Sequence, residues 1–455
     1  MTMKKDTVSV GIIGFGTVGS GTARILLENA AVIRERTGII ITLKRIADLD
    51  ITRDRGISLP EGVLTTDAAA VINDPEIDVV IELMGGIHPA KEFILEAIRN
   101  RKHVVTANKA LLATEGNELF AEAERAGVEI GFEASVAGGI PIIKVIREGL
   151  VANRIIAVYG IINGTSNYIF TKMSDEKVDF STALKEAQRL GYAEADPTFD
   201  IEGIDSAHKL TLLASLAYGI PLSYDDVYKE GITKITAQDI AFASELGYKV
   251  KLLAITKATA EGIEMRVHPT MVPNEYLISK VDGVFNAVYV EGDAVGSTLY
   301  YGRGAGDMPT GSAVVADVVD IARNIMCGGV TRIPGITAKV GVPEKSQTFG
   351  IGKDAPGAGA KKIKRIDEIE SMYYFRFSAL DEPGVLSKIS GILGSYNISI
   401  ASVIQKGRSI GGSVPLVVLA HRSREKDVLN SIREIDALPI VSDKTLFIRV
   451  EGSEA

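Results

Sequence analysis

The stretch Val8-Ser9-Val10-Gly11-Ile12-Ile13-Gly14-Phe15-Gly16-Thr17-Val18-Gly19 decides the reading of the fold. It opens as an apolar, β-branched run and ends in G-x-G-x-x-G, directly before a long amphipathic segment at residues 18–36. A glycine-rich turn by itself could bind nothing. Between a strand and a helix, though, its glycines permit a tight turn and the close approach of a pyrophosphate, whose charge meets unpaired amides at the helix N-terminus. Gly14, Phe15, Gly16, Thr17, Val18 and Gly19 are therefore the candidate cofactor-binding residues.

Outward from this motif, short apolar runs at 39–47, 78–83, 103–106 and 128–132 alternate with helix-like segments, of which 18–36 and 89–99 are clearest. Such alternation predicts an α/β unit, a parallel sheet with helices on both faces: a Rossmann-type dinucleotide-binding domain over residues 1–133. Across 134–332 strand runs at 155–162, 250–259 and 283–290 sit among helices expected at 180–190, 201–218 and 312–323. The alternation is lost there, which predicts an α+β substrate domain. Residues 333–370 are rich in Gly, Ala, Pro and Lys, least structured at 355–360, and read as a linker. From 371 to 455, segments at 373–379, 384–395, 398–405, 414–420, 426–434 and 445–450 spell β-α-β-β-α-β, the ferredoxin-like order.

Composition narrows the function. The 455 residues exceed the ~100–200 of one domain, so two or three are expected. At 46% apolar and 24% charged, the chain has a soluble, globular profile. The longest apolar runs, such as 210–217, fall short of the ~20 residues of a membrane span, so no membrane role is expected. Lys4 and Lys5 precede an apolar stretch that runs into the glycine motif without a cleavage site, which argues against a secretion signal. Cys327 is the only cysteine, excluding an intrachain disulfide or a cysteine zinc cluster and fitting the reducing cytoplasm. The net charge of −8 argues against nucleic acid as a partner, and the basic run at 361–365 reads as solvated linker. Five histidines without His-x-Glu or His-x-x-His spacing make a catalytic transition metal unexpected.

The second strand should end near Asp48, where a carboxylate could accept the ribose hydroxyls of NAD. Arg45, Arg53 and Arg55 crowd the same region and could instead pair a 2′-phosphate. Arg45 is nearest the strand end, so NADP with tolerance of NAD is the expectation. Thr106-Ala107-Asn108-Lys109 follows a strand at the ligand-binding edge of the sheet, so Lys109 either reaches a cofactor or carboxylate, or merely begins a surface helix. A second cluster runs Gly191-Tyr192-Ala193-Glu194-Ala195-Asp196-Pro197, then Asp200, then Gly203-Ile204-Asp205-Ser206-Ala207-His208-Lys209. Asp205 and Lys209 are four apart and share one helix face. They could be an exposed ion pair, but the apolar continuation at 210–217 suggests a buried helix start, where a lysine needs a carboxylate and can act as acid or base. His208 points away and is read as a neighbour.

With these residues in place, the chain resembles the homoserine dehydrogenases over essentially its whole length. The resemblance rests on seven blocks in order: GFGTVG, ELMGG, TANKALL, EASVAGGIP, NGTSNYI, GYAEADPTFDIEGIDSAHK and GRGAGDMPTGSAV. It implies reversible reduction of L-aspartate 4-semialdehyde to L-homoserine with NADP or NAD. Lys209 would be the acid/base, Asp205 would orient it, Glu194 and Asp200 would line the amino-acid pocket, and Lys109 would sit near nicotinamide and substrate. Gly306, in the last block, would join the cofactor site. It further implies a monovalent-cation loop, with Glu133, Val136, Gly138 and Ile140 holding sodium; from the residues alone this is a Gly-rich strand-to-helix turn. Residues 134–332 would also mediate dimerisation, and the chain would form a dimer or tetramer.

The C-terminal unit resembles the ACT domain, an amino-acid-binding module, through Asp381-Glu382-Pro383-Gly384-Val385 and Asn397. Asp381, Gly384, Val385 and Asn397 would then bind an effector, with threonine expected; the alternative is a packing module that binds nothing. A linker-tethered unit of this kind should be removable after about residue 344.

Overall fold

A computed structural model of the chain describes residues 7–328, 362–407 and 412–452. The expected linker lies outside them as far as residue 361. The chain forms two compact units: residues 1–158, 208–225 and 285–361, and residues 159–207, 226–284 and 362–455.

In the first unit β1 (Thr7–Ile13), β2 (Ile40–Ala47), β3 (Leu64–Thr65), β4 (Val79–Glu82), β5 (His103–Thr106) and β6 (Ile130–Gly131) form a sheet of order β3-β2-β1-β4-β5-β6, parallel throughout. Their near-continuous apolar runs follow from burial on both faces: Val8, Val10, Ile12, Val79, Ile81 and Val105 are fully buried. The strand order reverses between β1 and β4, which opens the ligand crevice beside the carboxyl end of β1. The expected helix at 18–36 is two, Thr17–Glu28 and Ala30–Thr37, parted at Asn29.

The helix Asp307–Cys327, read from sequence as part of the substrate domain, packs its apolar face into the core of this sheet. It touches the helix Thr17–Glu28 so closely that a Cβ on Gly21 would lie 2.2 Å from the Asp307 carbonyl oxygen.

The strands that follow are β7 (Ile155–Ile161), β8 (Tyr228–Lys229), β9 (Tyr248–Thr259), β10 (Gly262–Pro273), β11 (Phe285–Gly292), β12 (Gly296–Arg303), β13 (Glu370–Leu380), β14 (Ile400–Gln405), β15 (Ser413–Arg424) and β16 (Val441–Val450). β11 and β12 make an antiparallel hairpin in the first unit. The second unit holds the order β9-β10-β16-β13-β15-β14, with β8 also on β10. The expected β-α-β-β-α-β is present, its helices being Val385–Ser395 and Glu425–Asp436, around a core of Tyr373, Phe375, Phe377, Ile389, Leu393 and Val418.

Within the second unit the module joins a wider sheet. β16 lies parallel to β10, with Thr270 opposite Arg449 and Met271 opposite Val450, so one sheet runs through the whole second unit. In the described part of the basic run Lys362 and Arg365 are exposed, as expected of a solvated segment, but Lys364 is not. Ile263 N–H donates to the Lys362 carbonyl and Lys364 N–H to the Ile263 carbonyl, both at 2.8 Å, and the Lys364 side chain is buried.

Candidate active site

The glycine turn is built as its spacing demands. Gly14 has φ 98°, in the left-handed region, and a Cβ on Gly19 would lie 2.1 Å from the Gly14 carbonyl oxygen. A Cβ on Gly16 would meet nothing within 4 Å, so the loop is open where a ligand would approach. The helix Thr17–Glu28 has no side-chain cap and no acidic residue in its first turn, which leaves its N-terminus suited to an anion. Gly306, φ 130°, begins the neighbouring helix Asp307–Cys327, again without a side-chain cap.

Beside this turn, Asp48 Oδ2 accepts the Phe15 N–H at 2.5 Å, and its Oδ1 lies 3.3 Å from Arg55 Nη2. The Arg55 guanidinium stacks 4.8 Å from the Phe15 ring centroid and also donates Nε to the Phe15 carbonyl. Arg45 departs from the expected position. Its Nη2 lies 3.6 Å from Asp74, at the edge where β4 and β5 begin, away from the glycine turn. Arg45 stands mid-strand, opposite Gly11, and Asp74 draws its long side chain down the sheet.

At the end of β5, Thr106 Oγ1 donates to Glu82 Oε2 at 2.7 Å, and Asn108 caps the helix Lys109–Ala126 by accepting the Leu111 N–H. Burial pushes the Glu82 carboxyl up against the pull of the Thr106 hydroxyl and the Met84 amide. Lys109 is the first, half-buried residue of that helix.

The loop that follows β6 is buried. Glu133 accepts the N–H of Ile143 and of Lys144 on its two carboxylate oxygens, both at 2.8 Å, while its own N–H donates to Asp317 at 2.7 Å. Burial pushes Glu133 up to about 7 and Asp317 up to about 8. Ala137 and Gly138 take left-handed backbone, φ 55° and 49°, so the chain reverses tightly between Val136 and Ile140. Among the described residues no group of three or more His, Cys, Asp and Glu could hold a metal.

Lys209 lies on the helix Ile204–Tyr218 with a relative exposure of 9%, and Asp205 one turn before it with 7%. The buried reading of this pair therefore holds. His208 stacks on Tyr224, ring centroids 4.4 Å apart, in keeping with a packing role.

In the second unit one residue that sequence reasoning passed over gathers two that it named. Asn163 Nδ2 donates to Asp200 Oδ1 at 2.7 Å and to Asp205 Oδ2 at 3.0 Å. Its Oδ1 accepts the Ser166 N–H and caps the helix Gly164–Glu176. Thr165 Oγ1 donates to the Tyr192 carbonyl at 2.6 Å and Ser166 Oγ to the Asp200 carbonyl at 2.9 Å. The Glu194 side chain is exposed on this unit. A strand-end Asn before a helix signals a cap in sequence; nothing there signals the two carboxylates.

In the C-terminal module Gly384 has φ 87° and opens the uncapped helix Val385–Ser395, with nothing within 4 Å of its would-be Cβ. Asp381 N–H donates to the Gly412 carbonyl at 3.0 Å, Val385 is buried, and Asn397 takes left-handed backbone at φ 58°. No described helix is long and apolar enough to cross a membrane.

Comparison with known proteins bears on these features. Residues 14–133 match the family model of the homoserine dehydrogenase NAD binding domain, residues 141–319 that of homoserine dehydrogenase, and residues 373–437 that of the ACT domain. The homoserine dehydrogenase of Pseudomonas aeruginosa is 49% identical over 447 residues, 98% of this chain and 99% of that one. The crystal structure of the Thiobacillus denitrificans homoserine dehydrogenase is 48% identical, with TM-score 0.89 over 98% of each chain. A hyperthermophilic archaeal homoserine dehydrogenase mutant in complex with NADPH is 26% identical, with TM-score 0.59 over 69% of this chain and 97% of that one.

Proposed function

Because the chain belongs to the homoserine dehydrogenase family, it is an NAD(P)-dependent oxidoreductase that interconverts L-homoserine and L-aspartate 4-semialdehyde, and we propose that Lys209 is its acid/base. The observation that carries this is the burial of Lys209 one helical turn after an equally buried Asp205. A lysine so placed is desolvated enough to exchange its proton, and a carboxylate four residues earlier on the same helix face offsets its charge.

When bound, the nicotinamide cofactor supplies the acceptor and donor of hydride. Lys209 takes the hydroxyl proton of homoserine as the carbon-bound hydrogen leaves, and returns it to the aldehyde oxygen in reverse. Its charge stabilises the alkoxide that develops between these states. Asp205 orients it, Glu194 faces the substrate ammonium, Asp200 lines the pocket, and Lys109 answers the carboxylate near the nicotinamide. The glycine turn and Gly306 hold the pyrophosphate, with NADP preferred and NAD tolerated.

Glu133, Val136, Gly138 and Ile140 hold a monovalent cation, sodium in this reading. The buried carboxyls of Glu133 and Asp317 support it, since a cation offsets the charge that burial penalises. The C-terminal module binds threonine at Asp381, Gly384, Val385 and Asn397, and the chain works in the cytoplasm as a homo-oligomer. The test is absorbance at the nicotinamide band with L-homoserine and NADP or NAD: homoserine-dependent reduction is expected, and its absence with both cofactors would contradict the reading.

A further inference from the structure

We infer that Asn163 is a positioning residue of the reaction, holding the carboxylates of Asp200 and Asp205 apart and in place through one side-chain amide; this rests on the roles given above to Asp205 and Lys209. The side chain is buried, at 6% exposure. Its orientation is set by the cap it makes. Oδ1 is committed to the Ser166 N–H at 2.8 Å, so Nδ2 has to face the two acids, at 2.7 and 3.0 Å. An amide nitrogen carries two hydrogens, and here each meets a different carboxylate.

The arrangement solves an electrostatic problem. Two carboxylates that converge on one point repel each other, and one of them would take up a proton. A donor shared between them favours the ionised form of both. Asp205 then presents a fixed, charged carboxylate on the helix that carries Lys209.

The support of Asn163 is itself tied down. Thr165 and Ser166 bond the carbonyls of Tyr192 and Asp200, the residues that flank the Glu194 segment. Asn167 donates to the carbonyls of Val281 and Gly283 at 3.1 and 3.0 Å and accepts from the buried Lys251 Nζ at 3.1 Å. Three residues of one segment, Asn163, Thr165 and Ser166, thus hold both acidic blocks in the second unit.

Capping and positioning are separable. Serine caps helices as well as asparagine does, but one hydroxyl cannot cap and serve two carboxylates at once. Asn163→Ser is therefore expected to stay folded, with a melting temperature lower by about a few degrees, while kcat/KM for homoserine falls roughly tenfold or more. The acid limb of its kcat/KM profile should move to higher pH, because the carboxylates have lost a donor that favours their charge. In an Asp205→Asn background the same substitution should cost much less, since coupled residues are not additive.

Wild-type kcat/KM and pH profile in Asn163→Ser, or full additivity with Asp205→Asn, would overturn the inference. An Asp205→Asn variant with wild-type turnover marks a different failure. It removes the role given to Asp205 and with it the reason for positioning it.

Discussion

Arg266 donates Nη2 to Oε1 of Glu451 at 2.6 Å, and both side chains are buried in the second unit. Glu451 follows β16 directly and also accepts Lys257 Nζ at 2.6 Å, so the end of the described chain neutralises two cations rooted in β9 and β10. A charge buried there without its partner is costly. Glu451→Ala should destabilise the protein by about 3–5 kcal/mol in urea unfolding, the usual cost of breaking a buried pair from one side. Burial pushes the Glu451 carboxyl up, but Lys257 and Arg266 outweigh it and hold it at about 2. A folded pKa below the unfolded one gives stability that is present above about pH 4.3 and lost as the pH falls toward 2. Glu451→Gln should flatten the stability curve across that window; an unchanged slope would contradict the pairing.

Gly16 and Gly21 should separate cofactor binding from folding. A Cβ on Gly16 meets nothing within 4 Å, so Gly16→Ala is expected to melt like wild type yet raise the KM for NADP roughly tenfold, by obstructing the pyrophosphate. At Gly21 the added Cβ would sit 2.2 Å from the Asp307 carbonyl oxygen, so Gly21→Ala should lower the melting temperature first. The opposite pattern would remove Gly16 from the cofactor's path.

Arg55 is better placed than Arg45 to read a 2′-phosphate, because it stands against Phe15 and Asp48 while Arg45 faces Asp74. Arg55→Ala should raise the KM for NADP more than that for NAD, and Arg45→Ala should leave their ratio unchanged. Steady-state kinetics with both cofactors decide it; a ratio that moves only with Arg45 would reverse the assignment.

Much of this was legible in the sequence. β1, β4 and β5 were found because strands buried on both faces are apolar runs, and the glycine turn because a strand and a helix enclose it. β10 was missed: Glu264, Arg266, His268 and Pro269 break every strand pattern, and their burial makes sense only once Glu451 and β16 lie beside them. Asn163 was passed over for the same kind of reason. Its cap is local, at Ser166, but its carboxylate partners lie 37 and 42 residues along the chain. The Arg45 contact with Asp74 was not legible, because nearness to a strand end says nothing about which carboxylate draws a long side chain.

Since the ACT module shares a sheet with β10, point substitution tests regulation better than excision after residue 344. Threonine at millimolar levels should inhibit the full-length enzyme. Gly384→Val, which fills open space at the helix start and strains φ 87°, should weaken that inhibition while basal kcat stays near wild type. Inhibition that persists unchanged, and competes with homoserine, would move threonine to the substrate pocket.

The most direct measurement is single-turnover and steady-state kinetics of Lys209→Ala, alongside its affinity for NADPH. The expected result is a kcat lower by roughly 10²–10⁴ with cofactor affinity nearly intact, as for loss of a general acid/base. A variant that turns over homoserine within about tenfold of wild type would show that Lys209 does not carry the proton.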